Sequence, residues 1–163
     1  KKHVSFIARL AEQKNPLRYC KLVKACLENG MTGIQFIMVG DGPYKDKVDS
    51  YLEKNQMQDL IVRIPYVKNV PEFMRVLDAL IFSTDSGDTK RFIRKNKNGR
   101  IINEAESDDL NFKKFVENWE EYKKNAASCA DAMLDFFSIS HICEQYDQTF
   151  QMAMNGGQNE SKS

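Results

Sequence analysis

The sequence contains few of the residues that build metal centres, redox sites and membrane spans. Its 163 residues include two histidines, four cysteines and one tryptophan. The cysteines fit neither a CxxC pair nor a zinc pattern, and each lies in an apolar helical stripe. No apolar run approaches the roughly 18 residues that a membrane helix requires. We therefore expect no metal, no membrane span, and buried, reduced thiols at Cys20, Cys26, Cys129 and Cys143.

The sequence also lacks an excess of charge of one sign. Twenty-four basic and 23 acidic residues give a net charge of +1, so no overall field draws the chain toward nucleic acid. Segment 90–100 is an exception, with six Lys and Arg residues in eleven positions. It can contact an anionic membrane surface or a lipid-linked acceptor, although a solvated helix face is the favoured interpretation. Lys1 opens directly on a strand-like segment, so we expect no targeting segment and a cytoplasmic location.

Strand-like and helical segments alternate along the first half of the chain. This alternation predicts an α/β fold, a doubly wound, mainly parallel Rossmann-like sheet flanked by helices. Asn15 and Pro16 predict an N-cap followed by proline in the first helical turn, and Gly30 predicts a left-handed helix end. The predicted strands cover residues 3–8, 34–39, 60–64 and 79–82.

The second half of the sequence is mainly helical. Apolar stripes recur from Leu110 onward at the spacing of amphipathic helices, so we expect C-terminal helices to close a single domain over residues 1–154. The polar tail 155–163 is expected to be disordered.

Glycines and cations follow the first two predicted strands. Ligands of open parallel sheets bind beyond the carboxyl ends of the strands, and anions bind there at helix N-termini. Arg9 and Lys14 follow the first strand. The guanidinium of Arg9 can bind two oxygens of a diphosphate at once, and the ammonium of Lys14 can bind it as a point charge. Gly40 and Gly42 follow the second strand, where a backbone can approach a ligand or turn sharply. Solvated charge and ordinary turn chemistry are the alternatives for these residues.

The loop after the first strand excludes one common nucleotide-binding class. A dehydrogenase-type dinucleotide domain needs the pattern G-x-G-x-x-G in this loop. Residues 9–16 contain no glycine, so we reject that class.

The order of these segments resembles a known enzyme family. Phe6-Ile7-Ala8-Arg9-Leu10, then Ile37-Met38-Val39-Gly40-Asp41-Gly42-Pro43, and later Asn98-Gly99-Arg100-Ile101-Ile102, are similar to the C-terminal domain of family-4-type group 1 retaining glycosyltransferases. Those enzymes have two facing Rossmann-like domains. The resemblance implies a domain that binds a nucleotide-diphosphate sugar for retaining transfer to a glycan or lipid-linked acceptor, with no metal or cofactor.

The resemblance also implies roles for single residues. Arg9 and Lys14 become the donor diphosphate clamp, and Gly40 and Gly42 the donor loop. The backbone near Val67 and Lys68 is expected to contact the nucleobase. Tyr66 stands where the family usually has glycine.

The main departure from the family pattern follows Thr84. The family continues with a helix that carries two glutamates in an E-x7-E arrangement, whereas Asp85-Ser86-Gly87 follows here at once. We expect an internal segment to be missing between residues 84 and 85, and a true deletion is the alternative. No catalytic residue is assigned, and we expect this fragment, without an N-terminal acceptor domain, to be inactive alone. A non-catalytic module that binds a nucleotide or a protein is the competing hypothesis.

Overall fold

The structure is a computed structural model that describes residues 1–84, 97–102 and 105–126, with single positions 143, 147 and 148. The chain divides into two compact units, Lys1–Ala130 and Asp131–Ser163. All elements given below belong to the first unit. The Thr84–Asp85 junction, the cations at 90–95, the predicted helices beyond residue 130 and the tail 155–163 lie outside the described residues, apart from the single positions.

Five strands form one parallel sheet with the order β3-β2-β1-β4-β5. The predicted α/β, Rossmann-like fold class is confirmed. Continuous apolar runs form the inner strands because both faces of a parallel sheet are covered, and all four residues of β4 are buried. The strands are β1 (Lys2–Ile7), β2 (Ile34–Val39), β3 (Ile61–Ile64), β4 (Ala79–Phe82) and β5 (Gly99–Ile101).

Helices cover the sheet and follow its strands. Helix α1 contacts both α2 and α4, and it buries one apolar stripe that includes Tyr19, Cys20, Val23 and Cys26. A short 3-10 turn, Glu12–Lys14, precedes it. The helices are α1 (Pro16–Glu28), α2 (Lys45–Lys54), α3 (Val70–Met74) and α4 (Asp108–Glu117), and residues 119–126 are helical as well.

The ends of α1 follow the sequence signals in part. Pro16 lies in the first turn as predicted, and Gly30 adopts a φ of 74° beyond the last turn. Asn15 occupies the N-cap position, but its side chain makes no capping hydrogen bond and its backbone is left-handed, with a φ of 38°. The capping part of that prediction is therefore wrong. Asn15 acts as the turn residue between the 3-10 turn and α1, a conformation that asparagine tolerates well.

Tyr19 fixes α1 against the middle of the sheet. Its ring is fully buried and lies 5.4 Å from the ring of Phe6. Its hydroxyl lies 3.2 Å from the carbonyl oxygen of Val4 and 3.0 Å from that of Ile37. One side chain thus holds the helix to both β1 and β2.

A second polar cluster joins α1, β5 and the start of α4. The guanidinium of Arg18 donates to the backbone oxygen of Glu106 at 2.7 Å, and Arg100 on β5 donates to the Glu106 carboxylate at 3.1 Å. Lys114 on α4 donates to the same carboxylate. The solvated-face interpretation of segment 90–100 is therefore wrong for Arg100, whose side chain is 14% exposed. Lys97 is exposed and pairs with Glu121 at 3.4 Å.

Candidate functional site

The strand order creates a crevice at the carboxyl edge of the sheet. The chain builds β2 and β3 on one side of β1, then crosses to β4 and β5 on the other. The loops after β1 and β4 therefore diverge, and such a switch point is where open α/β sheets bind ligands. The loop after β1 carries the two cations singled out in the sequence.

Three backbone hydrogen bonds join the loop after β1 to the end of β2 and the loop that follows it. The amide of Ala8 donates to Val39 at 3.1 Å, and the amide of Leu10 donates to Asp41 at 3.0 Å. The amide of Tyr44 donates back to Leu10 at 2.8 Å. Hydrogen bonds therefore hold the two loops together at the edge of the sheet.

Gly40 and Gly42 make this junction possible. Their φ angles are 137° and 152°, in the region that side chains disfavour. A Cβ on Gly40 would lie 2.0 Å from the carbonyl oxygen of Ala8, and one on Gly42 would lie 2.5 Å from that of Leu10. Both glycines therefore approach the loop that carries Arg9, and their role as the donor loop stays a prediction.

Arg9 and Lys14 lie on the same short loop, directly before α1. Arg9 is exposed, and Lys14 is half-buried at the end of the 3-10 turn, where its amide donates to Ala11 at 3.0 Å. Pro16 begins α1 two residues later. The two cations therefore lie on the short loop that leads from the switch point into the N-terminus of a 13-residue helix, and each of these features attracts an anion.

The loop after β3 lies beside the loop after β2. The amide of Gly40 donates to the carbonyl oxygen of Ile64 at 2.9 Å, so the two loops leave the same edge of the sheet side by side. Val67 is half-buried and Lys68 is exposed, while the ring of Tyr66 is 76% exposed. A small cavity of ≈ 210 Å³ lies at this corner, lined by Gly40, Asp41, Lys45, Asp49, Arg63 and Pro65.

Ser83 marks the other side of the crevice, at the carboxyl end of β4. It is 1% exposed, and its hydroxyl has no hydrogen-bond partner among the residues that the structure describes. Nothing in the sequence singled it out, because an isolated serine after a strand is common. It is the last buried residue before the described part of the chain breaks off after Thr84.

The comparisons with known proteins agree with this geometry. No family model matches the chain. It is 25% identical, over 88% of its length and 46% of the other protein, to an α-1,4-N-acetyl-D-galactosaminyltransferase of Campylobacter jejuni that acts on a PP-undecaprenol-linked glycan. Among solved structures, a TarM variant of S. aureus in complex with UDP matches with a TM-score of 0.66 and 15% identity, over 92% of this chain and 35% of that one.

A solved structure that contains a single domain identifies the fold of this chain. The C-terminal domain of a group 1 glycosyltransferase, LpcC of Francisella tularensis, matches with a TM-score of 0.61 and 12% identity, over 81% of this chain and 85% of that domain. The chain has the fold of a group 1 glycosyltransferase C-terminal domain. The predicted resemblance is confirmed, and the chain spans 46% of the length of the curated relative that it matches.

The cysteines and the potential metal ligands can be placed only in the part of the chain that the structure describes. Burial raises the pKa of the Cys20 and Cys26 thiols to about 12, so both are poor nucleophiles. Cys143 is exposed, which makes the prediction of burial wrong for it, and Cys129 lies outside the described residues. Within the described ranges, no three His, Cys, Asp or Glu side chains converge as a metal site, and no helix is long and apolar enough to span a bilayer.

Proposed function

We propose that this chain is the donor-binding part of a glycosyltransferase and holds a nucleotide-diphosphate sugar at the carboxyl edge of its sheet. The observation that carries the proposal is the position of Arg9 and Lys14. Both lie on the loop between β1 and α1, at the switch point of the sheet. The loop after β2 holds that loop in place through backbone hydrogen bonds.

The two cations suit the chemistry of glycosyl transfer. As the bond from the anomeric carbon to the diphosphate breaks, negative charge grows on the leaving diphosphate. Fixed positive groups that face this charge stabilise the transition state, and a guanidinium can bind two phosphate oxygens at once. Because Arg9 and Lys14 supply this neutralisation, the proposal includes no metal or other cofactor. Retention at the anomeric carbon is part of the proposal through the family resemblance.

The relatives support the coarse class of reaction. The C. jejuni relative transfers an N-acetylgalactosaminyl group, and TarM was solved with UDP. Since the chain spans 46% of that relative, we propose that an N-terminal domain binds the acceptor, a glycan or a lipid-linked glycan. The enzyme would then work in the cytoplasm, with peripheral contact at the inner membrane face. Val67 and Lys68 remain our proposed backbone contacts to the nucleobase.

Calorimetric titration with nucleotides tests the diphosphate clamp. We expect UDP, GDP or ADP to bind more tightly than the matching nucleoside, and Arg9→Ala and Lys14→Ala each to lose about 1–3 kcal/mol of binding free energy. Lys54→Ala is the matched control, because Lys54 is a cation at the far end of α2. If all three variants bind as the wild type does, the clamp assignment is wrong.

One observation favours a non-catalytic binding module as the second candidate function. Asp85 directly follows Thr84 in the sequence, which leaves no room for the E-x7-E segment. Without those glutamates, the sugar should add no affinity. A UDP-sugar that binds no more tightly than UDP, with no release of UDP over time, supports the binding module. Tighter binding of the sugar nucleotide supports the enzyme.

A further inference from the structure

Arg18 is a cation in the first turn of α1 whose side chain contacts the start of α4. It is the third residue of α1. Its Nη2 donates to the backbone oxygen of Glu106 at 2.7 Å, and its Nε lies 3.5 Å from the carboxylate of Asp108, at the distance of an ion pair. The side chain is 18% exposed. These contacts engage the guanidinium, so Arg18 differs from the exposed Arg9 and is not itself a phosphate ligand in the proposed site.

Glu106, the partner of Arg18, is fixed to the far half of the sheet. Its carboxylate accepts hydrogen bonds from Arg100 on β5 at 3.1 Å and from Lys114 on α4. Strand β5 pairs with β4, which lies across the switch point from β2 and β3. Arg18 therefore ties the helix that follows β1 to the half of the sheet on the other side of the crevice.

The backbone of Arg18 holds the turn that carries Lys14. The amide of Arg18 donates to the carbonyl oxygen of Asn15 at 3.1 Å, and the amide of Asn15 donates to those of Ala11 and Glu12 at 3.2 and 3.0 Å. Asn15 has a left-handed backbone with a φ of 38°, a conformation that persists where surrounding contacts impose it. The place of Lys14 therefore depends on where the first turn of α1 lies.

We propose that Arg18 is a positioning residue for the diphosphate clamp. Its contacts with Glu106 and Asp108 fix the first turn of α1, and through Asn15 they fix the place of Lys14 at the switch point. This inference rests on the proposed function, because it takes the diphosphate to lie at Arg9 and Lys14. A cation stabilises an anion best when its place is set before the ligand arrives, since binding then requires no reorganisation.

Calorimetric titration of Arg18 variants with pyrophosphate, UDP, GDP and ADP tests the inference. Arg18→Ala should weaken pyrophosphate and the tightest nucleotide by the same factor, because the clamp contacts the diphosphate that they share. We expect roughly two- to thirty-fold, the range for residues that act on a site without contact to the ligand. Arg18→Lys keeps a charged donor for the oxygen of Glu106 and should recover most of the affinity.

Lys24→Ala is the matched control on the same helix. Lys24 donates to Asn55 at the end of α2 at 2.9 Å and pairs with Glu28 at 3.7 Å. This variant removes a cation that joins α1 to a neighbouring helix, but it leaves the first turn intact. It should bind pyrophosphate as the wild type does.

A double-mutant cycle distinguishes positioning from a purely structural role. Residues that act through one another have non-additive effects. If Arg18 acts through Lys14, Arg18→Ala should change pyrophosphate affinity by less than about two-fold when Lys14→Ala is already present. A structural role of Arg18 predicts the same loss in both backgrounds, and that result would overturn the inference.

The remaining outcomes separate this inference from the proposed function. If Arg18→Ala binds pyrophosphate as the wild type does while Arg9→Ala does not, the positioning role is wrong and the donor site stands. An equal loss in Lys24→Ala and Arg18→Ala would show that affinity follows the stability of α1, which also overturns the inference. If the wild type binds neither pyrophosphate nor any of the nucleotides, the donor site and the positioning role are wrong together. Urea unfolding confirms that each variant is folded under the conditions of the titration.

Discussion

At the scale of the residue, Tyr19 links the site to the core. Its hydroxyl lies within hydrogen-bond distance of the carbonyl oxygens of Val4 on β1 and Ile37 on β2. Tyr19 belongs to α1, the helix that begins two residues after Lys14. Tyr19→Phe removes these bonds and keeps the ring, so we expect the free energy of unfolding to fall by about 0.5–1.5 kcal/mol. Urea unfolding measures the change. Tyr66→Phe removes an exposed hydroxyl and should leave the midpoint unchanged, so an equal fall in both variants would contradict this role of Tyr19.

Single residues were predictable from sequence where their role depends on neighbours along the chain. Arg9 and Lys14 lie in the segment between a predicted strand and a predicted helix, so the sequence predicts their place at the sheet edge. Glu106 was missed because its partner Arg18 is 88 positions away, and no local pattern marks such a pair. Arg100 was misinterpreted for the same reason, since its charge suggested solvent.

At the scale of the element, the glycine-bearing loop after β2 supports the loop after β1. Gly40→Ala would place a methyl group 2.0 Å from a backbone oxygen, so the two loops must separate. We expect a loss of about 1–3 kcal/mol of stability, together with weaker nucleotide binding, in urea unfolding and calorimetry. Gly30→Ala is the control for backbone strain, because its φ of 74° also disfavours a side chain whereas its added Cβ meets nothing within 4 Å, so it should lose less stability and keep nucleotide binding. A Gly40 variant that binds nucleotides normally would show that the loops are independent.

Glu106 joins three elements, so its replacement should lower the free energy of unfolding. Glu106→Ala would leave Arg100 and Lys114 without their shared carboxylate. Because Arg100 and Glu106 are 14% and 17% exposed, and Arg100 keeps its hydrogen bond to Asn111, the loss of the carboxylate should cost about 1–3 kcal/mol. Glu117→Ala removes the exposed Lys113–Glu117 pair and should cost less than about 1 kcal/mol. Thermal unfolding of the two variants measures the difference. Similar melting temperatures would mean that the contacts of Glu106 with Arg100 and Lys114 stabilise the fold no more than an exposed ion pair does.

The limits of the four predicted strands agree with those of the structure to within about one residue. The predicted bounds of β2 and β4 are those of the structure, because continuous apolar runs between polar loops mark buried parallel strands. The strand predicted over residues 3–8 is observed as Lys2–Ile7, since pairing with β2 sets its ends. The short 3-10 turn before α1 was not predicted, because no simple periodicity marks three residues.

At the scale of the whole molecule, the sequence predicted the fold class, and the strand order came only from the structure. Alternating strands and helices require a parallel sheet, but many orders satisfy that pattern. The order β3-β2-β1-β4-β5 decides that the loops after β1 and β4 diverge. The site therefore depends on pairing between strands that are distant in sequence, which local sequence patterns do not predict.

The buried titratable groups of α1 make global stability depend on alkaline pH. Burial raises the pKa of the Cys20 and Cys26 thiols from 9.0 to about 12, and it raises the pKa of Tyr19 as well. Below pH 9 these thiols are protonated in both states, so their contribution is complete. Between about pH 9 and 12 the unfolded chain releases protons that the folded chain keeps, and the free energy of unfolding must fall.

The expected fall of the free energy of unfolding with rising pH is steep enough to measure. Each thiol lowers the free energy of unfolding by up to about 1.4 kcal/mol per pH unit in this range. Urea unfolding at pH 7.5, 9, 10 and 10.5 should show a steepening decline, and Cys26→Ala should reduce its slope by up to one thiol's share. A decline with the same slope in Cys26→Ala would mean that this thiol ionises in the folded protein as easily as in the unfolded chain, and α1 would then not be packed as tightly on the sheet as its buried stripe requires.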